Sequence, residues 1–535
     1  MHPEGTHQRT LARFLPRSGS QTLSWLPSVL VVLPLAGLAL YWDERRMVFL
    51  RPLHGGANPV EAIRGVLRGI EPYLFDHGNF RPIGRLWEWL VFAFVYDASE
   101  SSAVPPHLVL GAIRLVMVVC VAVAAGAMVR ALMRSANTST KSLTSLYPLM
   151  LAASLVTTRG GGGLGAFPHM FAGSVALMLS IALAICRDRD LRRRPLRRHE
   201  YVLMAASGVV AASFYDLMYL TPVLAAAFLA GRAIAAHSSL RDMLGTASAR
   251  RWLVHAVAFM SVAIPTRIVI AVNCADGGCY EGSALSLSGT AIGATLGRFW
   301  SGLAPFGWAE ASERAQRADA DLGLHDLWSN SYVALTVVTI AALVVLSSRT
   351  DTVLVESAFG DSRHRRLAAA LLLIGVTTAA GAALIAGLSE AIQSRQPAIG
   401  VGWRETLLVQ VGWSFVFTSC LAALQRAKLG QHGQRALHSI AAGALGVAMT
   451  MTLLANWQHA ESRRRSEADA LTSMIAASAV LPADEAGANN ARCHLIEALT
   501  EVAPSGWAGG EMVGADLEEL WLTRYGFPYC KPLLE

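Results

Sequence analysis

The sequence predicts an all-α, polytopic membrane protein, and three observations carry that prediction. Of 535 residues, 53% are hydrophobic and 16% are charged, and the mean hydropathy is +0.41. Soluble globular proteins carry about 25% charged residues. Apolar runs close to the roughly 20 residues that a spanning helix needs recur along the whole chain. Basic residues are concentrated in short clusters between these runs, as is typical of cytoplasmic loops.

The apolar runs predict about eleven transmembrane helices. Phe214, Tyr215 and Asp216 interrupt the stretch 201–236, which contains either two short spans or one kinked helix. The eleven predicted spans are 23–42, 107–132, 142–157, 166–186, 201–215, 217–236, 252–272, 332–347, 367–388, 407–425 and 439–456.

The basic clusters predict the orientation of these spans. They fall on one side of the predicted membrane, for example in CRDRDLRRRPLRRHE at 186–200, and that side is expected to be the cytoplasm. No small-x-small cleavage site follows the first apolar run, so we expect an uncleaved first helix with a cytoplasmic N-terminus. The expected layout is a membrane domain at 1–456, with outside loops at 43–106 and 273–331, and a small extracytoplasmic C-terminal domain at 457–535.

Four of the seven cysteines lie in segments predicted to be outside. An oxidising compartment would allow them to pair, Cys274 with Cys279 and Cys493 with Cys530. The alternative is that all four remain free thiols, because closeness in sequence does not establish the geometry of a disulfide.

The first outside loop predicts two interfacial helices. Asn58 and Pro59 are typical of a helix start. The apolar residues that follow, from Ile63 to Leu74, recur at three- and four-residue spacing, which favours a helix lying in the membrane surface. A second apolar stretch, Leu86 to Tyr96, is rich in aromatic residues and is short for a span.

Clustered charges at the start of this loop suggest chemistry. Asp43 and Glu44 follow the first apolar run directly, and Arg45 and Arg46 come next. A carboxylate at the bilayer surface can deprotonate a hydroxyl group, and cationic side chains can stabilise a departing phosphate. A solvated helix end with local ion pairs is the alternative interpretation of the acidic pair.

Other polar residues extend this candidate site. Arg81, Arg85 and Arg404 are candidates for phosphate binding, although interfacial arginines also bind lipid phosphates without catalysis. For the remaining candidates the alternatives are polar surface, a glycine-rich turn or a helix cap. These secondary candidates are His77, Glu88, Arg159, His169, Asp216 and Arg395.

Two motifs resemble a known family. WDERR at 42–46 resembles the acidic motif in the first outside loop of C-type glycosyltransferases, which are polytopic enzymes that use polyprenyl-phosphate sugars. FRPIGRLWE at 80–88 resembles a segment of bacterial members that act on O-antigen and other surface glycans. The resemblance covers about 41–90 in motif terms and the rest of the chain only in helix count and loop layout.

The resemblance implies a bacterial inner-membrane enzyme that moves a sugar from a polyprenyl-phosphate donor to a glycan or lipid-linked acceptor on the outer face. Asp43 would be the base, and Glu44 would assist through the acceptor or a divalent cation. Bacterial relatives often carry a double aspartate where this chain has Asp43 and Glu44, so a requirement for Mg²⁺ or Mn²⁺ is left open. No other cofactor is expected.

Three other functions fit part of the sequence. A glycan polymerase or ligase would use a diphosphate-linked chain and would depend mainly on arginines, above all Arg395 and Arg404. A lipid or glycan transporter would place charges in mid-span. A scaffold protein would work through the segment after about 460. A nucleic-acid partner is not expected, because the basic clusters are divided among loops.

Overall fold

The architecture is described from a computed structural model. It describes residues 24–41, 44–45, 47–48, 59–137, 141–158, 162–187, 195–274, 279, 284–318, 331–348, 360–394, 402, 404–424, 431–480, 489–503 and 510–530. Within these ranges the chain is helical and has no β-strand, and an isolated antiparallel bridge joins Leu285 to Ser389. The prediction of an all-α fold is therefore confirmed for the described residues.

The first half of the chain forms several short helices and the first long apolar helices. Two short 3-10 helices, Leu33–Gly37 and Asp216–Leu220, extend the helices next to them. The α-helices are α1 (Leu26–Val32), α2 (Pro59–Arg68), α3 (Ile70–Phe75), α4 (Pro82–Ser102), α5 (Pro106–Ser135), α6 (Lys141–Ser154), α7 (Gly162–Gly165), α8 (Pro168–Ile185), α9 (Arg198–Phe214), α10 (Thr221–Ala236), α11 (Leu240–Leu244) and α12 (Ala247–Asn273).

The second half contains further long apolar helices and the C-terminal helices. Its helices are α13 (Gly289–Ser301), α14 (Ala304–Arg317), α15 (Ser331–Ser348), α16 (Gly360–Gly387), α17 (Glu390–Gln393), α18 (Thr406–Leu424), α19 (Gln431–Arg464), α20 (Glu467–Val480), α21 (Asn489–Val502) and α22 (Gly510–Tyr525).

Among the described residues, seven helices are long and apolar enough to cross a membrane. Three shorter apolar helices, Leu26–Gly37, Leu143–Ser154 and Val333–Ser347, fall at further predicted spans. The count of eleven spans stays a prediction. The seven long helices are Pro106–Ser135, Pro168–Ile185, Asp216–Ala236, Ala247–Asn273, Ser362–Gly387, Thr406–Leu424 and His432–Arg464.

The structure differs from the sequence expectation at one place and decides between two alternatives at another. The aromatic stretch predicted at 86–96 belongs to the 21-residue helix α4, which starts at Pro82 and continues past Asp97. Pro82 occupies the first helical turn, where its missing N–H costs nothing. The stretch 201–236 forms two helices, because Tyr215 has an extended backbone (φ −161°, ψ 148°) between α9 and the following 3-10 helix.

The C-terminal helices share a hydrophobic core with Val48 and α4. Trp521 of α22 and Ile475 of α20 are fully buried in a cluster that also contains Val48 and, from α4, Phe92 and Val95. The predicted boundary at 456/457 falls inside α19, which continues to Arg464. The helices after α19 therefore pack against the loop that carries most of the candidate site residues.

Both cysteine pairings expected from the sequence are present. Cys274 bonds to Cys279, and Cys493 of α21 bonds to Cys530 beyond α22. The second disulfide closes a loop with a sequence separation of 37 residues and holds the chain end, including the buried Tyr529, against the C-terminal helices.

The two disulfides should contribute unequally to stability. A cross-link restricts the unfolded chain more when its loop is longer, so the separation of 37 residues corresponds to about 4 kcal/mol and the separation of 5 to about 2 kcal/mol. We expect Cys493→Ser/Cys530→Ser to lower the unfolding temperature in detergent more than Cys274→Ser/Cys279→Ser, measured by tryptophan fluorescence. Equal losses for the two double variants would contradict the expectation.

Candidate functional site

A cavity of about 190 Å³ brings together several of the predicted site residues. It lies between the start of α4, the start of α8, the break before α10 and the residues just before α18. One part of its wall is charged or polar and another part is apolar or aromatic. The lining residues are Met47, Asn79, Arg81, Arg85, Glu88, Phe167, Met170, Phe171, Tyr215 and Arg404.

Helix α4 contributes three charged residues to the cavity, namely Arg81 at its N-cap and Arg85 and Glu88 in its first turns. A spacing of three or four residues places such side chains on one face of a helix. The sequence predicted this arrangement for a helix beginning at Pro82, and α4 begins there.

The ring of Tyr215 lies next to two arginines of the cavity. The guanidinium carbon of Arg81 lies 5.0 Å from the centroid of the Tyr215 ring, and that of Arg404 lies 5.9 Å from it. Phe171 packs on the same ring, with 5.5 Å between the ring centroids. A guanidinium within about 6 Å of an aromatic ring is attracted to its electron-rich face. Tyr215 thus holds two arginines from distant parts of the chain at one site.

Gly84 explains how α4 comes so close to Tyr215. A Cβ at position 84 would lie 1.8 Å from the carbonyl oxygen of Phe214, the residue before Tyr215. Only glycine permits this contact between α4 and the end of α9. The close approach brings Arg81 and Arg85 to the cavity.

Arg85 and Glu88 complete the charged wall. The guanidinium carbon of Arg85 lies 3.8 Å from the centroid of the Tyr73 ring. Within the described parts of the chain, Glu88 makes no ion pair. Three arginines and one glutamate give these four side chains a formal charge of +2, which suits an anionic ligand.

Glu44 lies outside the cavity lining and is fully buried. One carboxylate oxygen accepts a hydrogen bond from the backbone N–H of Tyr41 at 2.7 Å, and the other accepts from the backbone N–H of Phe167 at 2.6 Å. Burial raises the pKa of Glu44 to about 7, while the Arg114 guanidinium and the two backbone N–H groups act in the opposite direction. The two carboxylate oxygens therefore accept hydrogen bonds from the backbone of two separate segments.

Phe167 has a conformation that few side chains adopt. Its φ of 43° and ψ of 53° lie in the left-handed region, and Pro168 follows it. This conformation costs an L-residue roughly 1–2 kcal/mol. The ring lines the cavity and packs near Phe92 and Phe171, each with 5.9 Å between ring centroids. The hydrogen bond to Glu44 is one interaction that compensates for this cost.

Arg45 points to the C-terminal helices. It is 4% exposed and donates to the Thr472 hydroxyl of α20 at 2.5 Å. Burial lowers the pKa of Arg45 to about 10, so the guanidinium remains protonated at neutral pH. Nearby, Arg463 of α19 pairs with Asp469 of α20 at 2.7 Å. These contacts join the chain at Arg45 to α20, and α20 to α19.

A buried polar network lies beside Arg45. The Tyr41 hydroxyl and Nε2 of His459 are 3.1 Å apart, and the guanidinium of Arg463 lies 4.3 Å from the Tyr41 ring centroid. Arg314 of α14 hydrogen-bonds the other nitrogen of His459 and pairs with Glu310. The network links Tyr41 and α14 with the end of α19.

The remaining predicted site residues divide into two groups. His77 is exposed, His169 is buried beside Phe92, and Asp216 pairs with Arg267 at 3.2 Å; none of the three lines the cavity. Four predicted residues, Asp43, Arg46, Arg159 and Arg395, lie outside the described residues.

The sequence did not point to Tyr215, Asn79 or the apolar lining residues as parts of the site. Tyr215 had one available signal, since it interrupts the apolar stretch 201–236 next to Asp216. The apolar wall, Met47, Phe167, Met170 and Phe171, had no such signal, because apolar residues at these positions are also expected in an ordinary helix-packing interface.

Comparison of the chain with known protein families and with curated proteins finds no match. Within the described ranges, no group of three or more His, Cys, Asp and Glu side chains is arranged to hold a metal ion.

The contact at Gly84 can be tested without knowledge of the ligand. Gly84→Ala should force α4 away from Phe214 and lower the unfolding temperature in detergent, by the equivalent of about 1–3 kcal/mol for an overpacked contact. Gly65→Ala in α2 is the matched control, because a Cβ there meets no atom within 4 Å. An unfolding temperature unchanged by Gly84→Ala would contradict the close approach.

Proposed function

We propose that this chain is a membrane glycosyltransferase that moves a sugar from a polyprenyl-phosphate donor to a glycan or lipid-linked acceptor on the outer face of the membrane. The observation that carries the proposal is the cavity in which Arg81, Arg85, Arg404 and Glu88 meet an apolar wall. The acidic motif at 42–46 and the segment at 80–88 supply the reaction class through their family resemblance.

The arginines can stabilise the negative charge on the leaving group. When the bond between sugar and phosphate breaks, negative charge develops on the departing phosphate. Guanidinium groups bind phosphate oxygens through pairs of parallel N–H donors. Because Tyr215 faces both Arg81 and Arg404, the two guanidiniums are held before a ligand binds, which reduces the cost of ordering them.

The apolar wall suits the lipid part of the same donor. Phe167, Met170 and Phe171 line the same cavity as a strongly cationic group of side chains. A ligand with a phosphate attached directly to a hydrocarbon chain matches both surfaces at once. In a membrane setting, the hydrocarbon chain would continue into the lipid.

Two carboxylates are candidates for the base that activates the acceptor hydroxyl. The family resemblance favours Asp43, and the cavity lining favours Glu88. A base has to reach the hydroxyl proton within hydrogen-bond distance or through one water molecule. Met47, which is close to Asp43 in sequence, also lines the cavity. We therefore assign the base to one of these two residues.

The phosphate-binding role predicts the effect of arginine substitutions. Arg85→Gln and Arg404→Gln should each lower kcat/KM on the order of 100-fold, because a preorganised donor to the developing charge is lost. The purified protein would be incubated with polyprenyl-phosphate sugars and glycan acceptors extracted from bacterial membranes, and release of polyprenyl phosphate would be measured by mass spectrometry. Arg68→Gln, an exposed arginine of α2, is the matched control. Full activity in both cavity variants would refute the role.

The base can be identified with the same assay. Removal of the base should abolish transfer at an unchanged membrane level, so we expect this result for either Asp43→Asn or Glu88→Gln. Asp97→Asn is the control, because Asp97 is an exposed residue of the same helix as Glu88. If both variants retain wild-type rates, the proposed mechanism is wrong.

A glycan polymerase or ligase is the second candidate function. It is favoured by the excess of three arginines over one carboxylate in the cavity lining, since a diphosphate carries more charge than a monophosphate diester. The two functions differ in the product that mass spectrometry would detect. Sugar transfer releases polyprenyl monophosphate, whereas chain transfer releases polyprenyl diphosphate.

A further inference from the structure

Glu44 connects two chain segments that meet beside the cavity. Its carboxylate accepts from the N–H of Tyr41 at the end of the first apolar run and from the N–H of Phe167 at the start of α8. Both oxygens are used in this way, and the residue is fully buried outside the cavity lining. A group so placed has no contact with a ligand in the cavity.

The segment 165–167 is held from two directions. Arg114, itself 1% exposed, donates to the Gly165 carbonyl at 2.7 Å, while Glu44 accepts from the Phe167 amide at 2.6 Å. Arg114 also donates to the Leu35 carbonyl near the end of the first helix. Arg114 and Glu44 thus hold the carbonyl and the amide side of one short segment.

The segment needs this restraint because of Phe167. The residue has a left-handed backbone without being glycine, and its N–H lies at the N-terminus of α8, where a backbone N–H has no partner within the helix. Without an acceptor at this amide, other backbone conformations become competitive. A change in the Phe167 backbone would move its ring, which is part of the apolar wall.

We infer that Glu44 is a positioning residue that fixes the left-handed conformation of Phe167 and so holds the aromatic ring in the apolar wall of the cavity. The inference rests on the proposed function for the identity of the ligand. It assigns Glu44 a role through the backbone of Phe167, in place of direct assistance to the acceptor.

Two soluble probes separate the two walls of the cavity. Farnesyl phosphate requires the arginines and the apolar wall, whereas inorganic pyrophosphate requires the arginines alone. For the full-length protein in detergent, Glu44→Gln should weaken farnesyl phosphate binding about tenfold and leave pyrophosphate binding unchanged. The amide of glutamine offers one acceptor oxygen where the carboxylate offers two. Glu71→Gln, an exposed residue of α3, is the matched control.

A double-mutant cycle tests the route through Phe167. Glycine adopts the left-handed conformation readily, so Phe167→Gly removes both the ring and the need for Glu44. In the Phe167→Gly background, Glu44→Gln should therefore cause little further loss of farnesyl phosphate binding. Strongly additive losses would overturn the inference, since Glu44 would then act independently of Phe167.

Three other results would refute either the positioning role of Glu44 or the proposed donor. If Glu44→Gln lowers the rate of sugar transfer but leaves farnesyl phosphate affinity unchanged, Glu44 acts in the chemical step and the positioning role is refuted. An equal loss of binding for both probes would indicate general damage to the site and would also refute it. If the wild-type protein binds pyrophosphate but not farnesyl phosphate, the proposed lipid-phosphate donor is wrong, and the inference falls with it.

Discussion

The hydrogen bonds from the backbone N–H groups of Tyr41 and Phe167 to the Glu44 carboxylate are the constraint on which the arrangement beside the cavity depends. Phe167 packs against both large hydrophobic clusters, the one within the apolar helices and the one shared with the C-terminal helices. Its backbone is held by a buried carboxylate, and its ring contributes to the cavity. A buried charge is costly unless hydrogen bonds satisfy it, and here two backbone N–H groups do so. The same hydrogen bonds that satisfy the Glu44 carboxylate join two distant segments of the chain.

Buried arginines in this protein are accommodated in two different ways. Arg251 of α12 pairs with Glu200 of α9 at 2.7 Å, and both side chains are almost fully buried. Arg114 of α5 instead donates to the carbonyls of Leu35 and Gly165, which lie at the ends of short helices. The last carbonyls of a helix have no partner within it, so helix ends can receive a guanidinium in place of a carboxylate. The cavity arginines represent a third situation, in which guanidiniums that line the cavity lie over aromatic rings.

The sequence predicted the helical class and named Arg81, Arg85 and Arg404 among the candidates for phosphate binding, and the reasons differ. Hydrophobic composition and run length report directly on helices in an apolar environment, and the helical spacing of Arg81 and Arg85 follows from a start at Pro82. The full length of α4 was underestimated, because its last turns contain charged residues such as Asp97 that packing tolerates. The roles of Glu44 and Tyr215 depend on distant segments that approach through Gly84 and Phe167. Such contacts leave no periodic signal in the sequence.

The packing of α20 to α22 on α4 has a consequence for how the protein is made. Helix α4 is synthesised well before α20 to α22, yet Phe92 and Val95 on its buried face share a hydrophobic cluster with those helices. Those helices are in turn closed by a bond between Cys493 and Cys530. A newly inserted α4 therefore keeps this face uncovered while the intervening chain is synthesised. Completion of this hydrophobic cluster is thus a late event in biogenesis.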